Sequence, residues 1–225
     1  MYRVNPNSAR VSSAAILSAM GTDALGVRSK AYSAALAGDV ARPRTTPADA
    51  FQAAVSAFQR GQRLDMVRLA GELGVSKATL YRWTGSREQL IGEVLAYLAA
   101  GAYNQARAAT DDKRDGTEYW VGVTRHFMSA IVAFEPLRRF VREETPLAFR
   151  VLTMRGSIVQ ATVVRVTAQM LEEAQRRGAP ALRAPAADLA YAMTKVGEGF
   201  IYSEPVANVK PDVEAAIGIM RLLLD

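Results

Sequence analysis

Between Asp65 and Leu90 the chain reads DMVRLAGELGVSKATLYRWTGSREQL, and the residues able to do chemistry are unevenly grouped in it. The segment SKATLYRWT carries Lys77, Arg82 and the hydroxyls of Ser76, Thr79 and Tyr81, with no carboxylate at all. A short helix of this composition offers donors and positive charge to an acceptor-rich anion, which is what a nucleic acid presents in its phosphates and base edges. Just ahead of it, Leu69, Ala70 and Leu73 recur at helical spacing, and Gly74-Val75 supplies a turn residue and an apolar plug. Two short helices about a Gly-containing corner match the helix-turn-helix pattern, in which the second helix enters the major groove.

Elsewhere the chain has little material for catalysis. Its 225 residues contain no Cys and a single His, His126, so thiol chemistry, disulfides and Cys-zinc sites are excluded and a His-based metal site is poorly supplied. No glycine-rich phosphate loop or paired catalytic motif is present. The expectation is a protein with no catalytic residues, no cofactor and no metal. Half of the residues are apolar and mean hydropathy is +0.01, an ordinary globular composition. No apolar run reaches the ~18 residues of a membrane span, and a reducing cytoplasm suits the composition.

The net charge of +6 is localised. Residues 1–90 hold 12 Lys and Arg against 6 Asp and Glu, whereas residues 91–225 hold 16 of each. A basic N-terminal part joined to a neutral remainder is the electrostatic footprint of a nucleic-acid-binding head, with a merely solubilising basic tail as the blander reading.

The elements that must position these residues read as helices throughout. Residues 1–45 are rich in Ala, Ser and Arg, with periodic stretches at Ala14–Met20 and Ser29–Leu36, and are expected to form a flexible or partly helical arm. Thr46-Pro47-Ala48-Asp49 predicts an N-cap, a proline at the first helical position and a capping box. Phe51, Ala54, Val55 and Phe58 continue that helix; Asp65, Ser76 and Ser86 cap the next three. Beyond Thr110–Gly116, Trp120, Val123, Phe127 and Ile131 keep helical spacing, and Glu135-Pro136 and Thr145-Pro146 mark further helix starts. Ser157–Arg177 is β-branched, yet Val159, Val163, Val166 and Met170 repeat as a helix does. The fold expected is all-α: a three-helix helix-turn-helix DNA-binding domain over 46–92 and a larger helical ligand-binding and dimerisation domain over 93–225.

Several fixed spacings in one window carry a family resemblance. Leu69-Ala70, Gly74-Val75-Ser76, Thr79-Leu80-Tyr81, Trp83, Arg87 and Leu90 resemble the DNA-binding domain of the TetR family of bacterial repressors. The chain departs from it at Trp83-Thr84, where the family often has His-Phe, and at Arg87, where it often has Lys. LGVSKATLYRWTGSREQLIGEVL, with LAYAMTKVGEGFIYSE, is also similar to the QsdR-like branch. The resemblance implies that Lys77, Ala78 and Thr79 face base edges. It implies that Tyr81, Arg87, Ser76 and the Thr46 helix end hold phosphates, with Arg82 able to do either. Arg42 and Arg44 would enter the minor groove, with a disordered tail as the equal alternative. Tyr81 as a half-buried core aromatic, and Arg82 and Arg87 as solvated charges, are the competing readings.

The resemblance further implies a homodimer on a palindromic double-stranded DNA operator, released by a small apolar or amphiphilic effector such as an acyl lactone. Large adaptable residues, Trp120, Phe127, Met128, Phe140, Phe149, Met154, Met170 and Met193, are candidates to line the effector site. The dimer interface is expected along Leu189, Met193, Val196 and Phe200 and along Val213, Ile217, Met220 and Leu224, stripes that could equally be intrachain core. A non-enzymatic helical interaction protein and a small-molecule enzyme are the alternatives.

Overall fold

Local capping chemistry sets where the helices begin. The computed structural model describes residues 29–36, 45–110, 115–154, 156–204 and 208–224, and the described residues contain helices without strands. A short helix α1 (Lys30–Leu36) precedes the head helices α2 (Pro47–Gln59), α3 (Met66–Glu72) and α4 (Lys77–Thr84). The head leads into α5 (Arg87–Ala109), whose 23 residues span about 35 Å. The body follows as α6 (Gly116–Ala133), α7 (Glu135–Glu143), α8 (Thr145–Thr153), α9 (Ile158–Arg176), α10 (Ala186–Ile201) and α11 (Val213–Arg221).

The capping box at Thr46 is formed as expected: Thr46 Oγ1 accepts from the Asp49 N–H, and the Asp49 carboxylate accepts from the Thr46 N–H. Asp65, Ser76 and Ser86 cap α3, α4 and α5 through their side chains. Asp115, Ser157 and Asp212 do the same for α6, α9 and α11. The helix starts at Glu135-Pro136 and Thr145-Pro146 carry no side-chain cap and rely on Pro instead.

Two apolar cores hold these helices. One gathers Phe51, Ala54 and Phe58 of α2, Leu69 of α3, Leu80 of α4 and Leu90 to Ala100 of α5. It continues without interruption into Leu137, Phe140 and Val141 of α7 and Val151 and Leu152 of α8. The other packs α6, α9, α10 and α11 around Trp120, Phe127, Met170, Leu171, Met193 and Met220. Gly92 permits the close crossing of α5 over the body, because a Cβ there would stand 3.2 Å from Ile158 Cγ2.

Of the arm, residues 29–36 are described, and they are docked. Ala31 and Tyr32 are wholly buried, Tyr32 edge-on to Phe51 at 5.2 Å between ring centroids. Glu93 on α5, itself buried, accepts from the Ser29 N–H (2.8 Å), the Ser29 hydroxyl and Gln89 Nε2 (3.2 Å), and so caps the start of α1 with a carboxylate. The stretch Ala14–Met20 lies outside the described residues.

Candidate nucleic-acid interface and effector cavity

The corner between α3 and α4 depends on Gly74, which sits at φ +65°, a conformation only Gly adopts without strain. Its N–H bonds Gly71 O and the next N–H, from Val75, reaches back to Ala70 O at 3.0 Å, closing α3. Thr45 Oγ1 takes up the Leu73 carbonyl at 2.9 Å, and Val75 packs half-buried on the head core.

From this corner α4 presents two faces. Leu80 and Thr84, four apart, are fully buried, and the Thr84 hydroxyl donates to the Leu80 carbonyl at 2.9 Å. Trp83 lies half-buried against the same core, so Trp83-Thr84 closes the head and leaves the outer face to other residues. Gly85 follows at φ +70°, where any Cβ would collide with the Gln89 side chain. Lys77, Ala78, Tyr81 and Arg82 fall on the opposite, exposed face, with Lys77 Nζ 5.7 Å from the Tyr81 ring centroid. Thr79 is half-buried beside them, its hydroxyl 2.9 Å from that of Ser76. This face carries two cations, a phenol and a hydroxyl without any acid, a combination suited to phosphates and base edges.

Two residues with expected phosphate roles are already engaged. Arg87 turns inward: Nε donates to the Leu64 carbonyl, and its terminal nitrogen bonds Glu144 Oε1 at 2.7 Å, while Arg63 approaches the other oxygen of Glu144 at 3.6 Å. This links the head to the junction of α7 and α8, and the guanidinium is oriented by an ion pair rather than presented to solvent. Thr46 is likewise committed, its N–H and hydroxyl both donating to Asp49, whose charge occupies the end of α2 where an anion would sit. Arg42 and Arg44 lie outside the described residues.

Two neighbouring cavities open behind the head. A junction cavity of about 180 Å³ runs between α2 and the body, with Val55, Leu95, Leu137 and Phe134 in its walls and Gln52, Gln59 and Gln105 among its polar residues. An inner cavity of about 60 Å³ lies among α6, α9, α10 and α11. Five of the eight expected lining residues, Trp120, Phe127, Met128, Met170 and Met193, form its wall. The other three line neither cavity. Phe140 packs edge-on to Phe58 in the head–body core, Phe149 sits edge-on to Tyr202, and Met154 is exposed. Hydrophobicity selected them, and their neighbours in space assign them elsewhere. His126 is exposed and bonded through Nδ1 to Thr110 Oγ1 at 3.2 Å, away from both cavities.

Polar residues of the inner cavity had no sequence signal. Thr124, Thr167, Thr194 and Gln160 contribute to its wall, as do Glu198, held by Lys195 at 2.7 Å, and Tyr202, whose phenol burial pushes well above its usual pKa. With its amide oriented to suit these neighbours, Gln160 donates to the Met154 carbonyl at 3.1 Å and accepts from Lys195.

The expected dimer stripes are a correction. Leu189, Met193, Ile217, Met220 and Leu224 are buried within the chain's own second core, and Val196, Phe200 and Val213 pack half-buried against it. Helical periodicity reveals which face is covered, and here the cover is α6 and α9 of the same chain. Tyr191, Ala192 and Gly199 of α10, Gly218 and Ile219 of α11, and Leu222 just past its end are exposed.

Comparison with known proteins agrees with this architecture. Residues 115–225 match a family model described as the tetracyclin repressor-like C-terminal domain. The structure resembles that of the R. erythropolis transcriptional repressor QsdR from the TetR family, with TM-score 0.72 and 28% sequence identity over 78% of this chain and 92% of the other. It shares its fold with the fatty acid degradation regulator FadR from Bacillus halodurans, at TM-score 0.50 and 13% identity over 83% and 96% of the two chains. No curated protein sequence matches the chain significantly. An acid-free helix-turn-helix face on an all-helical chain, the matched C-terminal domain and the QsdR-like structure together liken this chain to the TetR family of transcriptional regulators.

Proposed function

We propose that the chain is a homodimeric repressor that holds a palindromic operator through α4 of each copy and is released by a small amphiphilic effector. The observation that carries this reading is the outer face of α4. Lys77, Ala78, Tyr81 and Arg82 stand exposed and free of acids on a helix whose orientation is fixed by buried Leu80 and Thr84. Lys77, Ala78 and Thr79 read base edges at the N-terminal end, and Tyr81, Arg82 and Ser76 meet phosphates. One such helix covers only a half-site, so two copies are needed, related by a two-fold axis that sets the helices ~34–36 Å apart.

The exposed face of α10 and α11 is the surface proposed for pairing. Tyr191, Ile219 and Leu222 supply apolar area, and Gly199 and Gly218 let helices approach closely. The effector enters the cavities behind the head and favours a spacing that misaligns the two α4 helices, which lowers operator affinity through differential binding to the two conformations. The likeness to QsdR supports the QsdR-like branch, and the mostly apolar cavities make an acyl lactone a first effector to try. This reading is non-enzymatic, invokes no cofactor or metal, and sets the protein in the bacterial cytoplasm with its DNA.

The test is fluorescence anisotropy with the intergenic DNA flanking its gene. Specific binding should weaken steeply with salt, and Lys77→Ala with Tyr81→Ala should abolish it without lowering the melting temperature. Full affinity in that double variant would remove α4 as the reading helix.

A further inference from the structure

Resting on the regulatory reading above, the geometry points to an uncharged, linear amphiphile as the effector, bound head-inward. Its compact polar head sits in the inner cavity and its alkyl tail reaches the junction cavity, against α2 of the DNA-binding head.

The head group is assigned by hydroxyls the chain leaves unused. Helical threonines commonly donate back to the carbonyl four residues earlier, and Thr84, Thr110, Thr145 and Thr153 do so at 2.7–2.9 Å. Thr124 and Thr194 do not. Both are at least nine-tenths buried and both line the inner cavity. Neither hydroxyl has a hydrogen-bond partner among the described residues; nor does the Nε1–H of Trp120 in the same wall. Three orphaned donors in an apolar chamber are costly unless an acceptor-rich group arrives to take them.

The charge of that group follows from the ion pair beside it. Glu198 is the one charged side chain among the described residues that line the inner cavity, and Lys195 is already spent on Glu198 and Gln160. A carboxylate head would meet an anion and no available cation, an unfavourable burial. An ester, amide or lactone carbonyl brings no charge to oppose Glu198 and can accept from the three orphaned donors.

The path of the tail is set by the wall the cavities share. Ile131, Leu152, Val159, Val163 and Tyr202 line both chambers. Past them, the junction cavity extends along α5 from Leu95 to Gln105, about 15 Å. Its far side is Val55 and Gln59 of α2, and α2 packs directly on α4. A tail long enough to press on α2 therefore acts on the reading helix with a single helix between them. Short homologues fill the inner chamber and leave α2 untouched.

The experiment uses the full chain and straight-chain acyl lactones from butyryl to dodecanoyl, with free carboxylic acids of the same lengths. Calorimetry measures binding, and anisotropy of the flanking DNA measures release at saturating ligand. Lactone affinity should rise about fourfold per methylene while the tail still finds wall, and matched acids should bind at least about tenfold more weakly. Only the longer lactones should release DNA. Thr194→Val should weaken every lactone by roughly three- to tenfold without lowering the melting temperature of the unliganded chain. Ala102→Phe, which fills the junction cavity, should weaken only the long ones.

Acids that bind as tightly as lactones, or butyryl lactone that releases DNA as fully as dodecanoyl, would overturn the assignment without needing any variant. A chain that binds the lactone series but no DNA would overturn the regulatory reading instead, leaving calorimetry to decide the cavity.

Discussion

Replacing Arg87 by Met removes two ties at once, to the Leu64 carbonyl and to Glu144, and the consequences divide cleanly between stability and DNA binding. The two side chains are 24% and 16% exposed, so solvent screens the pair only in part. A charge-assisted hydrogen bond of this kind contributes ~1.5–3 kcal/mol. A double-mutant cycle with Arg87→Met and Glu144→Gln should therefore give a coupling energy of about 2 kcal/mol by urea titration. In a chain of this size that corresponds to a fall of roughly 4–8 °C in melting temperature for each single variant, at one fixed protein concentration. Operator binding supplies the control. Removing one phosphate-neutralising cation reduces the slope of log affinity against log salt by about 0.9. Arg82→Met, which removes one such cation from each of the two copies, should lower the slope by about 1.8 with stability intact, whereas Arg87→Met should lose stability with the slope intact. A coupling energy below about 0.5 kcal/mol, or a slope reduced by Arg87→Met as much as by Arg82→Met, would refute the inward assignment of Arg87.

Three other outcomes are expected. Leu222→Glu, at the exposed C-terminal end of α11, should give a folded monomer by light scattering at micromolar concentration, while a stable dimer in that variant would move the interface elsewhere. Glu93→Ala should expose residues 29–36 to amide exchange and cost about 2 kcal/mol, since it strips the carboxylate from Ser29 and leaves buried donors; unchanged protection of Ala31 and Tyr32 would count against the anchor. Burial pushes the Tyr103 phenol up to about 12 from 10.0. Its neutral form is thus favoured in the folded chain, that stability is complete below pH 10, and it is lost as pH rises towards 12. Tyr103→Phe should flatten part of the alkaline decline in melting temperature, and an unaltered decline would reject it.

What could be read from the chain beforehand was whatever is encoded within a few residues. Thr46 to Asp49, Gly74-Val75-Ser76, Ser86 to Gln89 and the two Glu/Thr-Pro starts announce themselves, because a cap and its partner sit three apart. The outer face of α4 was legible for the same reason, its exposed set being fixed by where Leu80 points. The inward engagement of Arg87 has no local signature, because Glu144 lies 57 residues away and no short-range pattern ties them. The stripes on α10 and α11 were found correctly as apolar faces, but periodicity does not name the covering surface. Thr124 and Thr194 were invisible, since a threonine that withholds its hydroxyl reads like one that does not. Trp83-Thr84, anomalous against the family pattern, proved to be packing: one half-buried ring and one hydroxyl turned back on its own helix.

The core that runs from Phe51 through Leu95 into Phe140 and Val151 has a consequence for protein engineering. Regulators of this kind invite chimaeras in which one reading head is joined to another sensor by cutting near residue 92. Here that cut passes through interlocked side chains, with Ile91 and Leu95 on either side of it and α7 and α8 supplying the opposing surface. A transplanted head would arrive with the wrong counterpart and leave voids or overlaps of methyl-group size, each enough to loosen a close-packed interior. The exchangeable unit is consequently larger than the DNA-binding motif: it must take α7 and α8 along, although they lie more than forty residues further down the chain.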